Sequence, residues 1–169
     1  SGSNIYIAAS SYPFNYNGQI TNPIIQINSN TGIKDGTYNF FGTARAVAFG
    51  IDSSNKAIVL SSSSSPLSRY TTGGVSDGTF SVYGYWNAST NNNFNAKYQG
   101  DVVEQPDGQI LLGGPLTFIG QLGYNSNLPV QFGRLVRLTA AGYPDFTFIN
   151  NMASGFNNTV NSIALQPDG

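Results

Sequence analysis

The sequence predicts an all-β chain built from three tandem four-stranded units, on three observations. The pattern G-x-x-D-x-T-[FY] occurs three times, as GIKDGTY (residues 32–38), GVSDGTF (74–80) and GYPDFTF (142–148). A short apolar run recurs as IYIAAS from Ile5, IVLSSS from Ile58 and ILLGGP from Ile110, with starts 53 and 52 residues apart. No stretch carries a helical period. Instead, short β-branched and aromatic runs are broken by Gly, Asn, Asp and Pro at the roughly 8–12-residue spacing of all-β folds.

The elements of a unit follow one another in a fixed order. An apolar strand such as ILLGG leads through a variable loop to a second strand, PIIQI (23–27) or GRLVRL (133–138). A Gly-containing turn, the D-x-T-[FY] segment and a strand such as VNSIAL (160–165) complete it. Units join through a tight turn, IDSSNK (51–56) or QPDGQ (105–109). In the Pro-Asp-Gly turn, Pro presets φ, Asp bonds its own backbone and Gly accepts positive φ. In the first turn that last role falls to Asn55, because Asn tolerates the left-handed region best after Gly. The units span approximately 5–56, 57–109 and 110–169, and together they form one domain, 1–169.

Composition narrows the chemistry. Charged residues make up 9% of the 169 residues, against about 25% in soluble domains generally. A net charge of -1 provides no basic face for nucleic acid or anionic lipid. The chain has neither Cys nor His. It therefore lacks disulfides, most zinc sites, the Ser-His-Asp and Cys-His nucleophile designs and an imidazole switch. No apolar run reaches the ~18 residues that span a bilayer, so membrane insertion is not expected. No cofactor and no metal site is expected.

Most carboxylates have a structural reading. Asp35, Asp77 and Asp145 fill the same slot of the repeated motif, and Asp52, Asp107 and Asp168 sit in hairpin turns, where Asx side chains satisfy nearby N–H groups. A polysaccharide-degrading enzyme would have to draw on the remaining Asp101 and Glu104. The DSSN loop (52–55) offers hard oxygens but too few carboxylates for calcium. Arg45, Arg69, Arg134 and Arg137 are scattered through the units, and Arg137 is placed to pair with a turn Asp. The serines from Ser61 to Ser65 have no base to activate them. Asn87 and Asn157 head formal glycosylation sequons.

Aromatic residues in the loops are the candidate ligand-binding set. They are Tyr12, Phe14 and Tyr16 in SSYPFNYNGQ, Tyr83, Tyr85 and Trp86 in VYGYWNAST, and Tyr124 in GQLGYNSNLP. Such rings offer a flat apolar face with a polar handle, suited to a sugar or a protein surface. Rim packing over a β core is the competing reading, and both stay open here. The Asn-rich stretch 87–100 is a loop of a length that is uncommon unless it is functional or disordered.

The runs VVEQPDGQILLGGPLTFIG (102–120), GRLVRLTAAGYPDFTF (133–148) and GFNNTVNSIALQPDG (155–169) resemble the delta-sixty repeat family of phage and bacterial surface proteins. The first two units are more divergent, with IYIAAS and IVLSSS where the family has I-L-x-G-G. The resemblance implies β-propeller-like repeats and an extracellular, cell-surface or virion location. It brings no established ligand; the aromatic loops lead to the expectation of a non-enzymatic module of phage-fibre or adhesin type recognising a glycan, receptor or other protein, with a purely structural spacer or assembly module as the alternative and a polysaccharide-degrading enzyme last. Propellers typically close with four to eight blades, so three units call for completion by a second copy in a homo-oligomeric ring. The alternatives are an excised piece of a longer propeller and β-trefoil-like threefold closure. The terminal QPDG joined on paper to NIYIAAS reproduces EQPDGQILLGG. The expected seam therefore pairs residues 5–9 with residues 160–165 of the same or another chain.

Overall fold

The computed structural model describes residues 4–9, 13–38, 40, 46–61, 67–80, 100–120 and 130–167. In chain order the strands are β1 (Asn4–Ala8), β2 (Phe14–Tyr16), β3 (Gln19–Thr21), β4 (Ile24–Asn28), β5 (Ala46–Ile51), β6 (Ala57–Ser61), β7 (Leu67–Tyr70), β8 (Asp101–Glu104), β9 (Ile110–Gly120) and β10 (Val130–Leu138). They form small antiparallel sheets: β1 with β4, β5-β6-β7, β8-β9-β10, and the separate hairpin β2-β3. The chain is thus all-β with little helix. Among the described residues these sheets close into neither a barrel nor a propeller ring.

The two linking turns share one geometry. The amide of Asp52 donates to Lys56 O at 2.9 Å, and that of Gln105 to Gln109 O at 2.7 Å. Asn55 (φ 60°) and Gly108 (φ 81°) hold the left-handed position in each turn. Both turns join a strand of one sequence unit to the first strand of the next, β5 to β6 and β8 to β9. Each three-stranded sheet therefore straddles a unit boundary.

Strand register corrects the sequence alignment by one residue. Ile5, Ala57 and Ile110 lie opposite Ile27, Tyr70 and Leu138. Those three partners each make the bridge to the motif turn, with Lys34, Ser76 and Pro144. Ala57, not Ile58, is therefore the equivalent of Ile5 and Ile110. The D-x-T-[FY] segment, which four strands per unit would require to be a strand, contributes among the described residues only the single bridge that precedes it. Just beyond it the side chains of Asp35 and Asp77 bond the amides of Thr37 and Thr79 at 2.8 and 3.0 Å. Such Asx turns lead the backbone away from the ladder.

In the third unit the motif does something the periodicity did not reveal. Asp145 caps a helix, α1 (Phe146–Asn151), accepting from Phe148 N at 3.1 Å. Where the other copies have Gly36 and Gly78, this one has Phe146. Phe146 and Ile149, one helical turn apart, both pack on the main core. Glycine disfavours a helix at that point by about 1 kcal/mol, so D-G-T turns where D-F-T winds.

The sheets stack face to face. Side chains of a strand alternate between its two faces, and β6 divides accordingly. Ile58 and Leu60 enter a core shared with Ile110, Leu112, Val136 and Leu138 of the third sheet. Ala57 and Val59 enter a second core with Ile24, Tyr38 and Phe40, against which Tyr6 and Ala8 pack. The middle sheet is therefore buried on both faces. Where β5 meets β8 the backbones nearly touch: a Cβ at Gly50 would lie 2.9 Å from Val102 Cβ and closer still to Val102 O. Residues 160–163 take up the next place in the stack. Gly113 leaves room for Val160 and Ile163, and Asp101 Oδ2 accepts from Ile163 N at 2.8 Å and Ser162 Oγ at 3.1 Å.

Candidate functional site

The repeated motif builds one side-chain cluster per unit, and its three copies differ in strength. In the second copy, Asp77 is buried and Oδ2 accepts from Arg69 Nε and Lys56 Nζ, both at 2.9 Å. Its Oδ1 accepts from the Thr79 hydroxyl at 2.6 Å. That hydroxyl and the Lys56 ammonium hold the Asp77 carboxyl far below the ordinary range, against the opposing effect of burial. The Arg69 guanidinium lies over the Phe80 ring, 4.8 Å from its centroid, and donates to Ala140 O at 2.9 Å. The motif's Asp and aromatic residue thus clamp one arginine, which also ties the second sheet to the third.

The third copy repeats the clamp with one cation. Arg137 donates to Asp145 Oδ2 through Nε at 2.9 Å and Nη2 at 2.7 Å, and lies 4.6 Å from the Phe148 centroid. Desolvation raises the Asp145 carboxyl's pKa, but the Phe148 amide and Arg137 outweigh it and the net shift is downward. In the first copy Gln26 stands where the arginines are, and Asp35 bonds Thr37, whose hydroxyl and amide lower its pKa. Tyr38, in the aromatic slot, packs edge-on against Tyr6 at 5.5 Å, and burial raises its phenol's pKa.

The other described carboxylates are engaged in the same manner. Asp52 Oδ1 accepts from Ser54 N and Lys56 N, and its Oδ2 lies 3.7 Å from Arg69. Asp107 accepts from Gln109, and Glu104 accepts from Ser53 N of the neighbouring sheet's turn. Glu104 and Asp101, left unexplained by turn chemistry, are therefore cross-sheet ties. Among the described residues no group of three His, Cys, Asp or Glu is arranged to hold a metal ion. No helix there is long and apolar enough to cross a membrane, which says nothing of a β-barrel.

Of the candidate aromatic set, Phe14 and Tyr16 are described. Tyr12, Tyr83, Tyr85, Trp86 and Tyr124 lie outside the described residues, as does Arg45. The hairpin β2-β3 turns on Asn17 and Gly18, both at positive φ (50° and 77°), the type I′ geometry that Asn-Gly favours. Phe14 and Tyr16 share a face and are half-buried. The Tyr16 hydroxyl donates to Gly32 O at 2.5 Å, so the hairpin folds back to the first motif turn instead of standing clear. Tyr16 therefore acts as a structural tie. Ile20, on the hairpin's opposite face, is exposed, as are Asn15 and Gln19.

Sequence reasoning missed one repeated feature. Ile33, Val75 and Tyr143 occupy the same place in the three motif turns, directly after Gly32, Gly74 and Gly142, and all three are exposed. The carbonyl of each accepts the bond that closes its turn, from Asn28, Thr71 and Thr139. An apolar residue in every copy of an exposed turn was visible in the pattern as G-[IVY]-x-D. Compared with protein-family models, curated proteins and solved structures, the chain matches none.

Proposed function

We propose that this chain is a non-catalytic β-repeat module of a cell or virion surface, recognising a glycan or protein through neutral polar and apolar contacts. The observation that carries this reading is the engagement of its charge. All seven described carboxylates accept hydrogen bonds that close turns or tie sheets, and Arg69 and Arg137 are clamped by motif Asp residues. Among the described residues the exposed large apolar side chains are Ile5, Ile20, Ile33, Val75, Tyr143 and Phe156, and most of the exposed positions around them are neutral polar residues such as Asn, Ser and Thr. Surface of that kind suits sugar rings and protein partners and has little to offer a polyanion. The motif resemblance to delta-sixty repeats supports a surface location and a propeller-like array.

A glycan array together with binding to host-type cell surfaces tests the reading. Tyr85→Ala with Trp86→Ala, and separately Ile33→Ser with Val75→Ser, should abolish or sharply weaken binding while leaving the melting temperature nearly unchanged. No binding to any glycan or cell surface sinks the recognition reading. The open edge of β1 among the described residues favours a second reading, in which the module serves assembly.

A further inference from the structure

We infer that β1 carries an open strand edge which receives residues 160–165 of a second copy of this chain, a deepening that rests on the assembly reading. Structurally equivalent positions make the case. Ala57 and Ile110 each sit in the middle of a three-stranded sheet, covered on one side by β5 or β8, and each is 1% exposed. Ile5, the third member of the set, has β4 on one side, no strand on the other among the described residues, and is 46% exposed. On the same face Ile25, opposite Ile7, is 1% exposed, so the face is open at the Ile5 end and covered at the other. Ala57 and Ile110 point into the cores formed with the preceding sheet, and for Ile5 the described residues include no preceding sheet.

The complementary half lies at the other end of the stack. Residues 160–165 join no ladder among the described residues. Yet they lie beside β8 as β8 lies beside β5, with Ile163 bonded to Asp101 and Val160 filling the space above Gly113. They also have the sequence of the covering strand, since Leu165 precedes QPDG as Glu104 does. A β1-type strand is what β5 and β8 each pair with. Among the described residues, β1 thus has one open edge beside its pairing with β4, and residues 160–165 are an unpaired segment of the kind that covers β1. Joining them repeats a contact already made twice within the chain. The interface is heterologous, head to tail, and two copies of three sheets close a ring within the usual propeller range of about four to eight blades.

The register is fixed by the internal copies. Ile51 pairs with Ala57 and Glu104 with Ile110, so Leu165 pairs with Ile5. The adjoining rungs, Asp52 with Lys56 and Gln105 with Gln109, are hydrogen-bonded. The Ile5 and Leu165 rung is therefore of the non-hydrogen-bonded kind, with Cα atoms about 4.5 Å apart, within disulfide range. The chain has no cysteine of its own, so Ile5→Cys with Leu165→Cys reports on this rung alone. Mild oxidation should give a reducible species of twice 18.0 kDa or a higher multiple. A cross-link within one chain, or none, overturns the inference. As a second variant, Ile5→Lys alters a side chain that is accessible in the single copy and should return the native mass to 18.0 kDa with an unchanged far-UV circular dichroism spectrum. Retention of the larger mass in Ile5→Lys overturns it too. If the unaltered chain is monomeric by sedimentation, the assembly reading fails. If it assembles but the cysteines do not join, this seam alone fails.

Discussion

Removing the motif aspartate from each unit in turn should destabilise the protein by graded amounts, although the sequence assigns the three residues one role. Asp77 is bonded to Arg69, Lys56 and Thr79, with the Asp77 and Arg69 side chains 6% and 11% exposed. Truncating one partner of a buried ion pair costs about 3–5 kcal/mol, because the remaining charge is left uncompensated. Asp77→Ala should lie in that range. Asp145→Ala loses one cation and a helix N-cap in a more open site, for about 2 kcal/mol. Asp35→Ala loses hydrogen bonds to Thr37 and to the Tyr38 amide, for about 1 kcal/mol. At this chain length 1 kcal/mol shifts the melting temperature by about 2–4 °C, so Asp77→Ala should melt about 10 °C lower and Asp35→Ala about 3 °C lower. Urea titrations and calorimetry at pH 7 measure both. Equal losses for the three variants, or a larger loss for Asp35→Ala than for Asp77→Ala, would refute the assignment of the clamp to Asp77 and Arg69.

Two further perturbations follow from packing and from ionisation. Gly50→Ala places a methyl group against the Val102 backbone and should destabilise by about 1–3 kcal/mol through overpacking, read as a lower urea midpoint; an unchanged midpoint would mean that β5 and β8 do not approach as described. The lowered pKa values of Asp77, Asp145 and Asp35 give stability that is complete above their unfolded value of about 4 and is lost as pH falls through the folded values. The raised phenol values of Tyr6 and Tyr38 give stability that is complete below about pH 10 and is lost as pH rises through their folded values. The urea midpoint should therefore be level between about pH 5 and 9, and a fall inside that window would contradict these assignments.

Local chemistry was legible in the sequence wherever one residue decides a backbone angle or a short-range bond. Asn55 does take the positive φ that Gly108 takes, and Arg137 does pair with a motif Asp, that of its own unit. The repeated turns and the all-β class followed from the same signals. Strand sharing was harder to read, because pairing across a unit boundary depends on which strand neighbours which, and periodicity within a unit is silent on that. The register slip between Ile58 and Ala57 has a simple origin: matching by isoleucine competed with matching by turn length, and the ladder obeys the turn. Helix α1 escaped notice because six residues hold too few turns to show a period. Its signal was the replacement of Gly by Phe146 after a capping Asp. At the candidate site, the burial of Phe14 and Tyr16 depends on how the hairpin folds back onto Gly32, which residue type alone does not specify.

The central claim is that the two three-stranded sheets straddle unit boundaries and that the two-stranded sheet of β1 and β4 is completed in the same way by residues 160–165 of a second copy. Amide hydrogen exchange across a range of protein concentrations tests it most directly. β6 and β9 should be protected at every concentration, while protection of β1 rises with concentration toward theirs, together with that of residues 160–165. Protection of β1 that is independent of concentration, or that rises without a matching change at residues 160–165, would contradict it.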